Sequence, residues 1–143
     1  MDAVIIYDSL TGNTLAAART MADELFDRDI ACRIIPVAGV EEAADAVAAA
    51  DLVIVGTWTD GALIIGQRPG RKKRFRKLLP DLSGKRGVVY CTYAIAPGKT
   101  LDKLQAVVEG HGGQVAGGLA IRRDELDEGA REFIRRTLDA VPA

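Results

Sequence analysis

The sequence is poor in the residues that metal sites, disulfide frameworks and membrane spans require. It has two cysteines and one histidine among 143 residues and no CxxC pair, so a zinc site is not expected. Cys32 and Cys91 each lie inside an apolar run, as small core residues of a reduced protein do. No apolar run approaches the roughly 18 residues of a membrane span, and the N-terminus carries no basic leader. These absences predict a cytoplasmic protein that binds neither metal nor membrane.

The composition, with 48% hydrophobic and 27% charged residues, is typical of one globular domain, which we expect to span residues 1–143. The net charge of −1 conceals an uneven distribution. The segment from Arg68 to Lys77, termed the basic segment, carries seven cations and no acid, which leaves −8 for the remainder. Either this segment is a solvated helix face or it attracts an anionic ligand or an acidic protein. Nucleic acid is the weaker prediction, because the segment has one aromatic residue and no recognised nucleic-acid motif.

Apolar runs and amphipathic stripes alternate along the chain, which predicts strands and helices in strict succession. Strands are expected over residues 3–7, 32–37, 51–56, 87–92 and 115–121. Helices are expected from Asn13 or Thr14 to residue 26, over 41–50, within the basic segment as far as Pro80, over 101–110 and from 126 onward. Gly110 is the expected left-handed cap of the fourth helix, and Asp124 or a neighbour the N-cap of the last. This alternation predicts an α/β fold with a doubly wound parallel sheet, whose ligand crevice lies at the carboxyl ends of the strands.

The loop after the first strand, residues 9–14, is rich in hydroxyl donors and runs directly into a helix. Its residues are Ser9, Leu10, Thr11, Gly12, Asn13 and Thr14. Unpaired N–H groups at a helix N-terminus favour an anion, so this loop is suited to one monoester phosphate. The absence of lysine argues against a Walker loop, and no dinucleotide fingerprint is present. The alternative interpretation is that these residues only cap the helix.

At these positions the sequence resembles the flavodoxin family, whose FMN-phosphate loop reads Ser/Thr-x-Thr-Gly-x-Thr. A second segment, residues 56–61, occupies the place where the family carries an aromatic residue that stacks on the flavin ring, and it contains Trp58, the only tryptophan. The resemblance implies a three-layer sandwich with a five-stranded parallel sheet in the order 2-1-3-4-5. It also implies FMN as the cofactor, and FAD is disfavoured because no pyrophosphate fingerprint is present.

The resemblance assigns FMN contacts to three loops. The phosphate would be held by residues 9–14. The ring would be contacted by Thr57, Trp58, Thr59, Asp60 and Gly61 from the second loop, and by Thr92, Tyr93, Ala94 and Gly98 from the third. The backbone amide that meets flavin N5 could belong to Thr59, Asp60 or Gly61. No catalytic side chain is predicted, because the sequence contains no nucleophile–base pair, so the chemistry would be that of the cofactor.

The sequence departs from the family pattern in its charge. Flavodoxins commonly carry acidic residues around the third loop, which hold the flavin potential low, whereas none occurs here between Arg86 and Leu101. The basic segment is expected on the same rim, which predicts a less negative lowest potential and an acidic partner that docks near Arg68–Lys77. The apolar stretch Ala62–Ile65 could be a docking surface or could fold onto the core.

The leading hypothesis is an electron carrier that transfers electrons through non-covalently bound FMN to a redox protein partner. A small FMN-dependent NAD(P)H or quinone reductase is the first alternative, so whether the protein is an enzyme stays open. The second alternative is a non-redox binding module that uses the basic segment. The sequence decides neither the identity of the partner nor the oligomeric state.

Overall fold

The computed structural model describes residues 1–60, 68–69 and 72–141. Its strands are β1 (Asp2–Tyr7), β2 (Ala31–Pro36), β3 (Leu52–Asp60), β4 (Arg68–Pro69), β5 (Arg86–Tyr93) and β6 (Gln114–Arg122). Its helices are α1 (Asn13–Phe26), α2 (Val40–Ala49), α3 (Lys72–Leu78), α4 (Thr100–Gly110) and α5 (Leu126–Ala140). The predicted succession of strands and helices is therefore present.

The sheet has the strand order β2-β1-β3-β5-β6, and all four pairings along this path are parallel. When only the parallel strands are counted, this is the predicted order 2-1-3-4-5. The two-residue strand β4 pairs antiparallel with the end of β3, where Thr59 lies opposite Pro69. Parallel pairing brings the carboxyl ends of β1, β3 and β5 to one edge of the sheet, next to the start of α1.

Two apolar layers hold the helices on the sheet, because successive side chains of a buried strand point to opposite faces. On one face, residues such as Val55 and Val89 pack with Phe75 of α3 and with α2 and α4. On the other face, Ile54 and Tyr90 pack with α1 and with Phe133 of α5. The basic helix α3 is thus held by one fully buried phenylalanine, while Lys73, Arg76 and Lys77 are exposed.

Strands β3 and β5 run further than the sequence indicated. The predicted third strand ended at Gly56, whereas β3 continues to Asp60 because Thr59 and Asp60 pair with β4. The predicted fourth strand ended at Thr92, whereas β5 includes Tyr93. The stretch Ala62–Ile65 lies outside the described residues.

One predicted helix cap, Gly110, is wrong, and the N-cap of the last helix falls on the neighbour of Asp124 that the prediction allowed. Helix α4 includes Gly110, and the left-handed residue is Gly112, with φ of 93°, after a cap at His111. The N-cap of α5 is Glu125, which makes no side-chain cap bond. Asp124 instead accepts a hydrogen bond from Nε of Arg122 at 2.6 Å.

The two outer strands of the sheet differ in regularity. Strand β6 shifts its register against β5, since Gly87 lies opposite Val115 and Val88 lies opposite Gly117, which leaves Ala116 as the extra residue of a bulge. Strand β2 ends at Pro36 and exposes Arg33.

No helix in the described part of the chain is long and apolar enough to span a membrane. Within the same residues, no group of three or more metal-ligating side chains occurs.

Candidate functional site

A cavity of about 180 Å³ opens at the carboxyl ends of β3 and β5, beside the loop that follows β1. This is the edge where doubly wound sheets bind their ligands. The structure brings together eight of the predicted residues there, joined by Arg123. The lining residues are Leu10, Thr11, Asn13, Trp58, Thr59, Thr92, Tyr93, Ala94 and Arg123.

The loop of residues 9–14 presents the start of α1 with its first N–H groups uncapped by any side chain. The backbone turns at Gly12, whose φ is 93°, and no atom lies within 4 Å of the position that a Cβ would take. The Gly12 N–H donates to Ser9 Oγ at 3.1 Å, and Asn13 Nδ2 donates to Thr11 Oγ1 at 3.4 Å. The first turn contains no acidic residue, so an anion would meet the positive end of the helix without a competing charge.

The first turn of α1 is fixed to the central strand β5 by two buried hydrogen bonds. The hydroxyls of Thr14 and Thr92 lie 3.2 Å apart, and Oη of Tyr90 donates to the Thr14 carbonyl oxygen at 2.8 Å. Burial raises the pKa of Tyr90, with Tyr7 and Cys32 adding to the effect, so the phenol stays protonated as a donor. The hydroxyl of Thr14 therefore faces the protein interior rather than the cavity.

Tyr90 is a positioning residue that the sequence did not reveal. Its ring lies directly over Gly56 of β3, where an added Cβ would stand 2.1 Å from two ring carbons. On α5 it meets Phe133, with ring centroids 5.8 Å apart. A tyrosine in an apolar run is read as core by periodicity alone, since nothing in the pattern tells which carbonyl its hydroxyl reaches.

Trp58 and Tyr93 stand at the ends of β3 and β5, and both are half-buried in the cavity wall. Trp58 lies opposite Thr92 in the register, and its Nε1 is buried without a hydrogen-bond partner among the residues that the structure describes. Buried polar groups are nearly always paired, so a donor left alone beside a cavity fits a site completed by a ligand. The adjacent Cys91 is a core thiol, whose pKa burial raises to about 11 against a smaller lowering by the nearby Thr59 side chain.

Five of the predicted contact residues lie outside the cavity lining. Ser9 and Gly12 belong to the adjoining turn. Thr14 and Thr57 are fully buried. Gly98 is exposed with φ of 54°. Asp60 ends β3, and its side chain is not among those that the structure describes. Gly61 lies outside the described residues. The roles assigned to these positions stay predictions.

Arg123 is the cavity residue that sequence reasoning missed. It follows β6, and its N–H donates to the carbonyl oxygen of Tyr93 at 2.9 Å. The contacts predicted from the sequence lie in the loops after the first, third and fourth strands, and the loop after the fifth strand is not among them. A stricter use of the same rule would have included Arg123, because the carboxyl end of the fifth parallel strand meets the same edge.

The residues present fit an FMN molecule bound partly outside the cavity. Small-molecule pockets usually span ~300–1,000 Å³, so a ligand of this size would leave part of its surface in the open in a cavity of about 180 Å³. Uncapped N–H groups, hydroxyls and two aromatic rings match a phosphate and a flat ring.

A wider depression of about 510 Å³ lies at the opposite edge of the sheet. Lys85 in this depression binds the backbone at the end of α2, because its Nζ donates to the carbonyl oxygens of Ala48 and Ala50.

Comparison with known proteins identifies the family. A family model described as a flavodoxin domain matches residues 4–109. The fold is similar to a mutant flavodoxin from Pseudomonas aeruginosa, with a TM-score of 0.78 and 17% identity over 100% of both chains. It is similar to two-electron reduced Megasphaera elsdenii flavodoxin, with a TM-score of 0.69 and 23% identity over 91% of this chain and 98% of that one.

A third similar structure is the rubredoxin oxygen:oxidoreductase of Desulfovibrio gigas, with a TM-score of 0.63 and 19% identity, where 99% of this chain matches 37% of the longer one. Comparison with curated proteins found no match. At these identities the structural likeness shows the fold, and the family model carries the assignment. The chain therefore belongs to the flavodoxin family, and the cofactor that this membership implies is non-covalently bound FMN.

Proposed function

We propose that this protein is an electron carrier that passes electrons through bound FMN to an acidic redox protein. When bound, FMN supplies the one-electron and two-electron redox chemistry. The observation that carries the proposal is the cavity at the carboxyl ends of β3 and β5, where the start of α1 and two aromatic side chains meet. The chain's own residues would bind, orient and partly shield the cofactor.

The roles of these residues follow from their placement. The uncapped first turn of α1 and the hydroxyl of Thr11 would hold the phosphate. The rings of Trp58 and Tyr93 would contact the flavin ring, because stacking removes apolar area of both partners from water. The Tyr90 hydroxyl would hold the first turn of α1 in place through the Thr14 carbonyl.

Surface features around the cavity support docking of a protein partner. Leu10 and Ile95 are 58% and 78% exposed on the two loops that flank the cavity, which is unusual for large apolar side chains. The basic segment begins at the cavity, since Pro69 pairs with Thr59 of its lining. An apolar patch beside a positive field favours a partner with an acidic docking face.

The first experiment is titration of the purified protein with FMN, followed by visible absorption and by quenching of Trp58 fluorescence. We expect binding with strong quenching in the unaltered protein, and weaker FMN absorption changes in Trp58→Ala and Thr11→Val. The matched control is Phe26→Ala, which removes an aromatic ring that is 77% exposed at the other end of α1. A protein that binds no FMN at micromolar concentration would refute the proposal.

A second experiment separates a carrier from a reductase. A carrier should show two separable one-electron couples in a redox titration and should not consume NAD(P)H in the presence of a quinone. Rapid NAD(P)H oxidation coupled to quinone reduction would instead identify the protein as an enzyme. The same titration tests the flavin potential. Apart from Asp60 and residues 61–67, whose side chains are not described, the cavity lining contains no acidic side chain, so we expect a less negative lower couple than typical flavodoxins have.

The positive field is tested with two small oxidants of the reduced protein, anionic ferricyanide and neutral benzoquinone. Reversal of two exposed cations of α3, in Arg76→Glu/Lys77→Glu, should slow oxidation by ferricyanide several-fold at low salt and leave benzoquinone unaffected. The control with the same charge change is Arg19→Glu/Arg33→Glu, two exposed cations on α1 and β2. Equal effects of the two double variants would contradict a docking field at the basic segment.

A further inference from the structure

Arg123 is the one charged residue among the described residues that line the cavity. The other eight are apolar, hydroxyl, amide or aromatic residues. These described lining residues, which do not include the side chain of Asp60, therefore contribute a formal charge of about +1, because an arginine is always protonated. A cavity of this kind favours an anionic occupant over a neutral one.

The position of Arg123 is fixed by the backbone. Its N–H bond to the Tyr93 carbonyl oxygen ties it to the end of β5, and the side chain of Tyr93 lines the cavity. It also borders a second depression that includes Ala16, at the end of the first turn of α1. Arg123 therefore stands between Tyr93 and the start of α1, where the phosphate of FMN would be held.

The charge of Arg123 is not used by an ion pair in the described part of the chain. The neighbouring Arg122 forms ion pairs with both nearby acidic side chains, with Nε 2.6 Å from Asp124 and Nη2 3.2 Å from Glu125. The pKa of Asp124 is lowered first by its hydrogen bond with Arg122, and Arg123 adds a smaller Coulombic effect. Arg123 itself has no acidic oxygen within 4 Å in those residues.

The loop that would hold the phosphate has no cation of its own, since residues 9–14 contain neither lysine nor arginine. A phosphate monoester carries about −1.5 to −2 charge at pH 7, and a guanidinium pairs with it through two parallel hydrogen bonds. We propose that Arg123 is the specificity-determining cation of the site, which selects the phosphorylated flavin FMN over neutral riboflavin. This inference rests on the proposed function, because it assumes that the cavity binds a flavin.

The test compares the dissociation constants of FMN and riboflavin for Arg123→Gln, measured by quenching of flavin fluorescence. Loss of a charge-assisted hydrogen bond should weaken FMN binding roughly 10- to 100-fold, and riboflavin binding should change less than about twofold. Arg123→Lys should restore part of the preference for FMN. The dependence of FMN binding on salt should be shallower in Arg123→Gln than in the unaltered protein.

The matched control is Arg135→Gln, which removes an equal charge from α5, where Arg135 pairs with Glu132 at 3.1 Å. It should leave both dissociation constants unchanged, and thermal unfolding of each variant verifies the fold. Equal loss of FMN and riboflavin affinity in Arg123→Gln, or no loss of either, would overturn the inference while the proposed function stood. An unaltered protein that bound neither flavin would overturn both.

Discussion

The contact between Gly56 and Tyr90 predicts that Gly56→Ala is destabilising far beyond an ordinary glycine-to-alanine change. The added Cβ would stand 2.1 Å from Cε1 and from Cζ of Tyr90. Carbon atoms pack at about 3.5–4.0 Å, so the ring must withdraw by roughly 1.4 Å or more. Tyr90 is fully buried, contacts Phe133 and donates to Thr14 at 2.8 Å, so withdrawal disturbs each of these contacts.

The cost has two parts. Overpacking of a well-packed core costs ~1–3 kcal/mol, and loss of the hydrogen bond to the Thr14 carbonyl costs ~0.5–1.5 kcal/mol. The free energy of unfolding should therefore fall by about 2–4 kcal/mol. For a chain of this size one kcal/mol lowers Tm by roughly 3–5 °C, so circular dichroism should show Tm lower by about 6–20 °C.

Two controls make this prediction refutable. Gly87→Ala on the neighbouring strand is the matched change, because its Cβ would meet nothing closer than 3.5 Å, and we expect it to be nearly neutral. In a Tyr90→Leu background, Gly56→Ala should lose most of its cost, since the ring that it meets is absent. The reasoning would be refuted if Gly56→Ala cost as much in the Tyr90→Leu background as in the unaltered protein. It would also be refuted if Gly56→Ala cost less than about 0.5 kcal/mol in the unaltered protein.

Three further predictions concern buried and paired groups. Burial raises the pKa of Cys32 to about 12 and of Cys91 to about 11, so native protein at pH 8 should react with a thiol reagent far more slowly than urea-unfolded protein, and equal rates would contradict this. Partial burial raises the pKa of Glu24 and hydrogen bonds from two arginines lower it, with a net lowering below 4.5. The stabilisation that ionised Glu24 provides is present above pH 4.5 and is lost as the pH falls through the lowered pKa. The difference in Tm between the unaltered protein and Glu24→Gln should therefore shrink below pH ~4. A difference that grew on acidification would contradict the ion pairs. Thr14→Val should lower the free energy of unfolding by ~1–3 kcal/mol, because it leaves the Thr92 hydroxyl buried without this partner. In urea unfolding, the double variant Thr14→Val/Thr92→Val should be closer to neutral. Additive costs of the two single changes would contradict the hydrogen bond.

The parallel α/β alternation and the edge that holds the cavity could be predicted from patterns that repeat along the chain, whereas the strand order came from the resemblance of residues 9–14 and 56–61 to the flavodoxin family. A continuous apolar run such as residues 52–55 has one plausible place in an α/β fold, and helical stripes between the runs require parallel pairing. The hydroxyl-rich loop ahead of α1 could be predicted as part of the site because its residues are contiguous in the sequence. Its composition is local, and so is its chemistry.

The errors arose where a distant segment decides the local structure. Strand β3 continues past Gly56 because Thr57 and Trp58 pair with β5 and Thr59 pairs with β4, and a two-residue strand such as β4 leaves no periodic signal in the sequence. The hydrogen bond from Tyr90 to Thr14 joins residues 76 positions apart. The C-cap of α4 is His111, followed by the left-handed Gly112, rather than Gly110, since a glycine inside a helix costs only about 1 kcal/mol and packing can override it.

The bulge at Ala116 has a consequence for how copies of this protein meet one another. An outer strand with a continuous row of free N–H and C=O groups can accept a strand from a second molecule and so start a fibrillar assembly. In β6 the extra residue interrupts that row and twists the strand, while at the other border of the sheet Pro36 ends β2 and Arg33 adds a repelling charge. A fold whose central strands are almost wholly apolar is thereby protected at both borders against intermolecular strand addition.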